Sequence, residues 1–586
     1  MKKFTKLFIL AALAISTVAC SDVVEDTIDD LTSDTTTPET TTPETTTPET
    51  TTPEVESTGK AKYIFYFIGD GMSATQLNLA EAAMNYSEFV SEAASQTRAT
   101  TVGIGDLNMR TLPVTGMITT HAANRYITCS AAAATALATG EKTNIDFVSV
   151  SAEDGTTVLP TIAEKAKEAG MKVGIVSSVS IDHATPACFY AHTGYRDNYV
   201  TIGAQLIESG FDYFAGGSPR FNKHGAASNA DARDAFVASA EAAGFDFVCT
   251  KSEFNALTSA STPVIATLNM LGEEVYSGDS FALPYSIDID SFGEENDITL
   301  AQFTEKGAEV LMNDNGFFMM VESGKIDWAC HANDAVTTAY EVVAFDEAIA
   351  KAIEFYNQYP DETLIVVTGD HDTGGLTLGF AGTSYENSFD LLMNQRASFS
   401  LFAAGYKTTF SYSTSASSYA DVAEDADFIT AFEQALSYAS AQLGLINETT
   451  DEGDFSTSYA KAGTDANGFT IGSLLMMSDA GSFEVSDYEM ALLAETFYQS
   501  VSGNKFNSFS SDDVYTYLMD FDGYDPFTTT CLTILCNKAG LEFSTYAHTA
   551  VPVPVFAMGA GADLFVGYYD NTDVPKKISE AAGLGL

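Results

Sequence analysis

Three apolar stretches of the 586-residue chain end in carboxylates. "YIFYFIGDG" delivers Asp70, "GFFMMVESG" delivers Glu322, and "TLIVVTGDH" delivers Asp370 followed at once by His371. Each stretch has the composition of a strand buried on both faces, and in an open parallel sheet the carboxyl ends of the strands face the ligand crevice. Three acids on one such edge repel one another unless cations lie between them, because a bare cluster of buried carboxylates is costly. Histidine is scarce, with seven in the chain, so its placement beside acids is informative. In "IDWACH" His331 follows Asp327 by four positions, which on a helical turn puts both side chains on one face, within reach of one ion. His548, in "YAHTAVPVPVFAMG", precedes the last apolar stretch and can return to the same edge. Mixed His and Asp donors suit zinc, and an oxygen-only set such as Asp70, Glu322 and a hydroxyl suits magnesium.

A second feature sets two nucleophiles side by side. In "TCSAAAATALATG" Cys129 and Ser130 stand at the start of an alanine-rich run of strong helix formers. The N-terminus of such a helix presents backbone N–H groups to an incoming anion. A serine hydroxyl is a poor nucleophile near neutral pH and gains reactivity from metal coordination or an adjacent base. Spacing alone leaves both candidates open.

The elements that must position these residues alternate along the chain. Residues 63–69, 172–178, 316–322, 363–369 and 553–559 have the pattern of strands of a parallel sheet. Helices are expected over 73–84, 130–139, 160–169, 198–209 and about 331–357. This order predicts an α/β fold, a three-layer sandwich with a mostly parallel central sheet and helices on both faces. Residues 385–540, rich in Ser, Tyr, Phe and Asp, look like an inserted cap-like region. It contains an amphipathic helix near 426–443, with Phe428, Ile429, Phe432 and Leu436 on one side, and a helix opened by Ser486 with Glu489 in capping-box spacing.

The first 20 residues combine a basic start, a short apolar run and small residues before Cys20, which is the pattern of an export signal rather than a membrane span. The pattern resembles a bacterial lipoprotein signal that leaves a lipidated Cys20, although Thr17 replaces the more usual aliphatic residue. Residues 21–58 carry an acidic patch and four TTTPE pentads over 35–54, a composition with nothing to bury, so a disordered tether is expected. The chain is then expected to be exported as an outer-membrane-tethered lipoprotein, periplasmic or cell-surface. With 80 acids against 27 bases the net charge is −53, which disfavours nucleic acid as a partner. Six cysteines besides Cys20 make no disulfide framework, although Cys531 and Cys536 are close enough in sequence to pair.

The ordered motifs "FIGDGM", a serine opening "SAAAATALATG", "HATPA", "AHTGYR", "VESGKIDWACH", "VVTGDHDTGG" and "AHTAVPV" resemble the metal-dependent alkaline phosphatases. The resemblance covers a core in two parts, 59–384 and 541–586, and leaves 385–540 unmatched. It implies two Zn²⁺ and one Mg²⁺ per subunit and a phosphoserine intermediate in the hydrolysis of small phosphate monoesters. Carried over residue by residue, it gives one zinc to Asp327, His331 and His548, and the second to Asp70, Asp370 and His371, facing Ser130 Oγ. Magnesium falls between Asp70, Glu322 and Thr185, with His183 at a position that in some members contacts the magnesium's water shell. Arg196 matches the phosphate-clamping arginine, whose planar fork suits two phosphate oxygens at once. The resemblance assigns the nucleophile to Ser130 and puts Cys129 where the family usually has an Asp that orients the arginine. It is also compatible with a homodimer.

No such role is expected for His121, His192 and His224, and Cys330 and Trp328 are expected to pack. Two rival readings are a phosphodiesterase of the same superfamily and a non-catalytic phosphate- or metal-binding lipoprotein. Glu322 and Thr185 argue against the diesterase, and Cys129 lacks the CxPxR-like context of a sulfatase.

Overall fold

The computed structural model describes residues 60–92, 106–220, 230–261, 263–267, 281–292, 298–410, 412, 416, 418–445, 485–502 and 524–586. The signal sequence, Cys20, the tether and His224 lie outside the described residues. Among the described residues no helix is long and apolar enough to cross a membrane.

Ten strands form the central sheet: β1 (Tyr63–Gly69), β2 (Val114–Thr119), β3 (Lys172–Ser180), β4 (Tyr213–Gly217), β5 (Asp246–Val248), β6 (Val264–Thr267), β7 (Phe317–Ser323), β8 (Thr363–Gly369), β13 (Val553–Gly559) and β14 (Gly567–Asp570). Two short pairs, β9 (Asp372–Thr373) with β12 (His548–Thr549) and β10 (Leu376–Thr377) with β11 (Glu542–Phe543), lie outside it. The sheet order is β14-β2-β13-β8-β1-β7-β3-β4-β6-β5. Every pairing is parallel except the two made by β13, which runs against both β2 and β8. The expectation of a parallel sheet therefore holds for four of the five stretches read from sequence and is corrected for 553–559. An apolar run specifies burial, whereas strand direction depends on how the chain returns.

Alternate residues of the central strands feed two cores, one on each face. Ile64, Tyr66 and Ile68 join Phe318, Met320 and Val366 on one side. Phe65 and Phe67 join Phe317, Met319, Val321 and Val367 on the other. Continuous apolar sequence is what double-sided burial requires, at roughly 1.5–3 kcal/mol per fully buried side chain of this size. Among the covering helices, Ser130–Thr139 is buried along all ten residues and ends at Gly140 in the left-handed region (φ 73°). Ala335–Tyr356 begins at Asp334, whose side chain caps it.

Helices between 389 and 538 share a third apolar cluster, which also takes in Leu79, Ala335, Val336 and Ala339 of the core helices. The helix Ala426–Leu443 buries Phe428, Phe432 and Leu436, while Ile429 is only partly covered. Ser486 and Glu489 form the expected reciprocal cap. Cys531 and Cys536 are both free thiols, buried on the helix Pro526–Lys538. Five residues apart on a helix they point in different directions, so the pairing allowed by sequence spacing does not occur.

Candidate active site

The register of the sheet brings the acids together. Gly69 is level with Gly369 of β8 and Ser323 of β7, so Asp70 and Asp370 leave adjacent strands side by side, with Glu322, level with Ile68, two positions back on the third. The turn after β1 is unusually close to its neighbours. Gly71 sits at φ 75°, and a Cβ there would lie 2.9 Å from Asp327 Cα. A Cβ on Gly369 would lie 2.0 Å from Met72 O. Only glycine permits this approach, and it lets Gly71 N donate to Asp370 Oδ1 at 3.1 Å.

Three groups of side chains at this edge offer ligand atoms within 4.8 Å of one another: Asp327, His331 and His548; Asp70, Asp370 and His371; and Asp70, His183 and Glu322. The first two are the zinc sets implied by the sequence resemblance. The third brings His183 itself, rather than only a surrounding water shell, within reach of the acids assigned to magnesium. Its imidazole is held edge-on to Trp328, with ring centroids 5.7 Å apart. Thr185 is fully buried in the short helix Ala184–Ala187 that follows β3.

The donor chemistry fits cations. Both oxygens of Asp70, Oδ2 of Asp370, Oε1 of Glu322, Nδ1 of His183 and Oγ1 of Thr185 are buried and make no hydrogen bond, an expensive state for polar atoms unless a ligand completes it. His331 Nδ1 faces the carbonyl of Tyr546 and His548 Nδ1 that of Thr128 at 2.8 Å. With those nitrogens protonated, the two Nε2 atoms meet lone pair to lone pair at 3.1 Å, a repulsive contact that a shared cation relieves. His371 Nε2 stands 3.3 Å from Asp70 Oδ1 and 3.4 Å from Asp370 Oδ2. Thr373, two residues after His371, donates to Asp327 Oδ1 at 2.5 Å and lies 3.2 Å from His371 Nδ1, tying two of the sets together. The sequence reading passed over Thr373, although its place in "DHDTGG" was the signal for it.

The electrostatics carry the same strain. Burial, and then Asp327, Asp370 and Glu322, push the Asp70 carboxyl well above its ordinary range. Burial pushes Glu322 up to about 7, against the pull of the Ser177 hydroxyl, which donates to its Oε2. Burial lowers His371, His183 and His548. Burial also opposes the charge on Asp327, but His331, His548 and His371 outweigh it and hold this carboxyl low.

Ser130 opens its helix with its hydroxyl 3.4 Å from His371 Nε2. Cys129 is the N-cap and makes no side-chain cap bond, and the first helical bond is from Ala133 N to Cys129 O. The N–H groups before Ala133 are therefore left outside the helical ladder. Cys129 Sγ accepts from Asp146 N at 3.2 Å and remains a free thiol. Burial works against the charge of Arg196, but Cys129, Tyr199, Asp70 and Asp327 outweigh it and raise its pKa. Ser130, Arg196, Asp327, His331 and His548 line one cavity of about 380 Å³. Trp328 lines it too, the alternative that the sequence allowed beside packing.

The remaining residues set aside in the sequence stay outside the site. His121 Nε2 pairs with Asp570 at 3.3 Å, and His192 bridges Ser149 O and Glu164. Cys330 is fully buried, with Sγ 3.5 Å from Thr338 Oγ1. The cavity also receives Tyr285, Lys325, Phe399 and Tyr524, which no motif singled out. Three of these come from stretches without local patterning, and only tertiary packing brings them to the site.

Comparison with known proteins bears on this arrangement. A family model described as "Alkaline phosphatase" matches residues 61–467. The repressible alkaline phosphatase of Saccharomyces cerevisiae is 31% identical over 339 residues, 54% of this chain and 56% of that protein. Alkaline phosphatase 4 of Bacillus subtilis is 33% identical over 279 residues, and the chain spans 55% of its length. The chain thus spans little more than half of these two relatives. Alkaline phosphatase of Escherichia coli K12 is 31% identical over 350 residues, 53% of this chain and 70% of that protein. Among solved structures, a cold-active alkaline phosphatase from a psychrophilic Shewanella sp. superposes with a TM-score of 0.61 at 25% identity, covering 89% of this chain and 99% of that one. The alkaline phosphatase of Thermus thermophilus shares the fold with a TM-score of 0.63 at 24% identity, over 90% and 93% of the two chains.

Proposed function

The chain belongs to the alkaline phosphatase family, and from that premise we propose that it hydrolyses phosphate monoesters through a phosphoserine on Ser130. The observation that carries this reading is the Ser130 hydroxyl at a helix N-terminus, 3.4 Å from His371, among three groups of candidate ligand atoms, in two of which carboxylate oxygens are buried without a hydrogen bond. We assign two Zn²⁺ to the sets Asp327, His331, His548 and Asp70, Asp370, His371, and one Mg²⁺ to Asp70, Glu322 and Thr185, with His183 beside it. Bound there, these ions would offset charge on the phosphoryl oxygens, favour the ionised forms of the serine and of water, and stabilise the leaving oxygen.

The chain's own residues supply the rest. Arg196 grips two phosphoryl oxygens with its planar fork, and backbone N–H groups at the start of the Ser130 helix face the same anion. Ser130 Oγ, its proton given up to solvent water, attacks phosphorus in line; its bond to phosphorus forms as the ester P–O bond breaks, and the leaving oxygen takes a proton from solvent and departs as the alcohol. Water then attacks the phosphoserine, restoring the Ser130 hydroxyl and releasing phosphate. Fixed dipoles and charges aimed at the phosphoryl group provide most of the rate enhancement, as in other phosphoryl transfers. From the sequence alone we also assign export, lipidation of Cys20 and a tether that holds the enzyme off an outer membrane.

Metal analysis combined with turnover of p-nitrophenyl phosphate and its bis-ester, by wild type and Ser130→Ala, tests the reading. Loaded wild type is expected to prefer the monoester, and Ser130→Ala to lose about three orders of magnitude or more in kcat. Full activity in Ser130→Ala refutes the phosphoserine route. Faster diester hydrolysis replaces the monoesterase with the diesterase, and no turnover between about pH 7 and about pH 10 leaves a binding protein.

A further inference from the structure

The cavity beside Ser130 extends well beyond what a phosphoryl group fills. Its volume, about 380 Å³, falls in the range of roughly 300–1,000 Å³ typical of sites for whole small molecules. Away from the candidate metal ligands and Arg196, aromatic rings make up much of its wall, with Asp288, Lys325 and Ser400 as the polar groups among them. Tyr285, Phe399 and Tyr524 form an edge-to-face ladder, with centroids 5.4 Å apart at 64° for the first pair and 5.7 Å apart at 74° for the second. Tyr285 is buried at the back, with Lys325 Nζ 3.5 Å from its ring centroid. Phe399, Tyr524 and Trp328 are half-buried and line the cavity.

Two members of the ladder, Tyr285 and Phe399, sit on anchored backbone. Buried core acids bind the backbone at or next to its members: Asp334 Oδ2 accepts from Phe399 N at 2.9 Å, Asp288 Oδ1 from Ser398 N at 2.9 Å, and Glu341 Oε1 from Ser286 N at 2.6 Å. Rings fixed before a ligand arrives lose little freedom when it binds. Their edge-to-face geometry favours another ring over an aliphatic chain of the same area.

We propose that this wall binds the leaving group, and that the preferred substrates are phosphomonoesters whose alcohol carries a planar ring, nucleoside 5′-monophosphates being the reference class. The proposal rests on the phosphatase reading above. The phosphoryl group sits between Ser130 and Arg196, and the ring lies against Phe399, Tyr524 and Trp328. Phe399 and Tyr524 are specificity residues, since the bond that breaks is the same with or without the ring.

Adenosine 5′-monophosphate and methyl ribofuranoside 5-phosphate share the same leaving hydroxyl and differ in the base, so the ratio of their kcat/KM values isolates the ring. Wild type is expected to favour the nucleotide by about threefold to tenfold. Phe399→Ala and Tyr524→Ala are each expected to bring the ratio toward one, and Phe399→Trp to retain it. A ratio near one in wild type overturns the proposal, as does an unchanged ratio in both alanine variants, because a merely structural role lowers both substrates together. Trp328 is the chain's single tryptophan, so its fluorescence in metal-loaded Ser130→Ala protein reports binding without turnover. Quenching by the nucleotide but not by the ribofuranoside phosphate supports the wall even if wild type hydrolyses neither ester, in which case the phosphatase reading fails alone. Hydrolysis of both esters with no base dependence removes this proposal and leaves the phosphatase standing.

Discussion

Asp334 offers a sharp test of how the helices beyond residue 385 are tied to the catalytic core. It is fully buried, and each of its oxygens has two donors. Oδ1 accepts from Thr337 N at 3.0 Å and Gln395 Nε2 at 2.8 Å, and Oδ2 from Thr337 Oγ1 at 2.6 Å and Phe399 N at 2.9 Å. Two donors belong to its own helix and two, Gln395 and Phe399, to the segment beyond residue 385. Asp334→Asn keeps the shape and replaces one acceptor by an NH₂ group. Placed at the Oδ2 position, that group faces Thr337 Oγ1, which can turn to accept, and Phe399 N, which cannot. Placed at the Oδ1 position, it faces Thr337 N instead. Either way one buried backbone N–H loses its partner, at about 1–3 kcal/mol. Relief of the burial that raises the Asp334 pKa offsets part of this, so we expect a net loss near 1 kcal/mol. Asp334→Ala removes all four bonds, the helix cap among them, for about 3–5 kcal/mol. Urea unfolding followed by Trp328 fluorescence and by circular dichroism measures both variants. A wild-type midpoint for Asp334→Ala would refute the reasoning, and so would an Asn variant as damaged as the Ala variant, since the charge rather than the bond pattern would then govern.

Two other predictions concern groups nearer the surface chemistry. Cys129→Asp puts a carboxylate beside Arg196, where it competes for the guanidinium and repels phosphate, so the inhibition constant of phosphate should rise by roughly threefold to tenfold; an unchanged constant would show the position to be neutral. His192 lies 3.0 Å from Glu164; burial opposes its charge, but Glu164 and the Ser149 carbonyl outweigh burial and raise its pKa, while Glu164 is lowered by His192 and Thr161 against its own burial. The raised His192 adds stability that is full below its ordinary value of 6.5 and lost as pH climbs through the folded value; the lowered Glu164 adds stability present above 4.5 and lost as pH falls through its folded value. His192→Gln should therefore lower the unfolding midpoint more near pH 6 than near pH 9, by a difference on the order of 1 kcal/mol or less after solvent screening; equal losses at both pH values would refute the pairing.

Most of the candidate ligands were legible because they stand at detectable boundaries, whereas Thr185 and His183 came from the family resemblance alone. Asp70, Glu322 and Asp370 lie at the ends of fully buried strands, and Asp327 and His331 have helical spacing, so local pattern and site geometry coincide. β2 was not legible: "VTGMIT" buries only two of its six residues and lacks the continuous apolar signal of β1. The direction of β13 was hidden for a different reason, since pairing direction is set by the path of the chain and not by the residues of the strand. The aromatic ladder joins positions 285, 399 and 524, which share no motif and no periodicity. Cys531 and Cys536 were near in sequence, but the helix that contains them turns them apart.

The place of β13 in the sheet also sets an order of assembly. β2 precedes the Ser130 helix, yet among the described residues its neighbours in the sheet are β13 and β14, more than 430 positions later. His548 enters just ahead of β13 and holds the carbonyl of Thr128, 420 positions earlier. Closing so long a loop is slow, although the cost grows only logarithmically with its length. A chain lengthening from its N-terminus can lay down β1, β3, β7 and β8 as they appear, while β2 waits unpaired. The arrival of residues 553–559 then seats β2 and the last imidazole in a single event. The side of the crevice that carries Ser130 is thus tied to strands more than 400 positions later in the sequence.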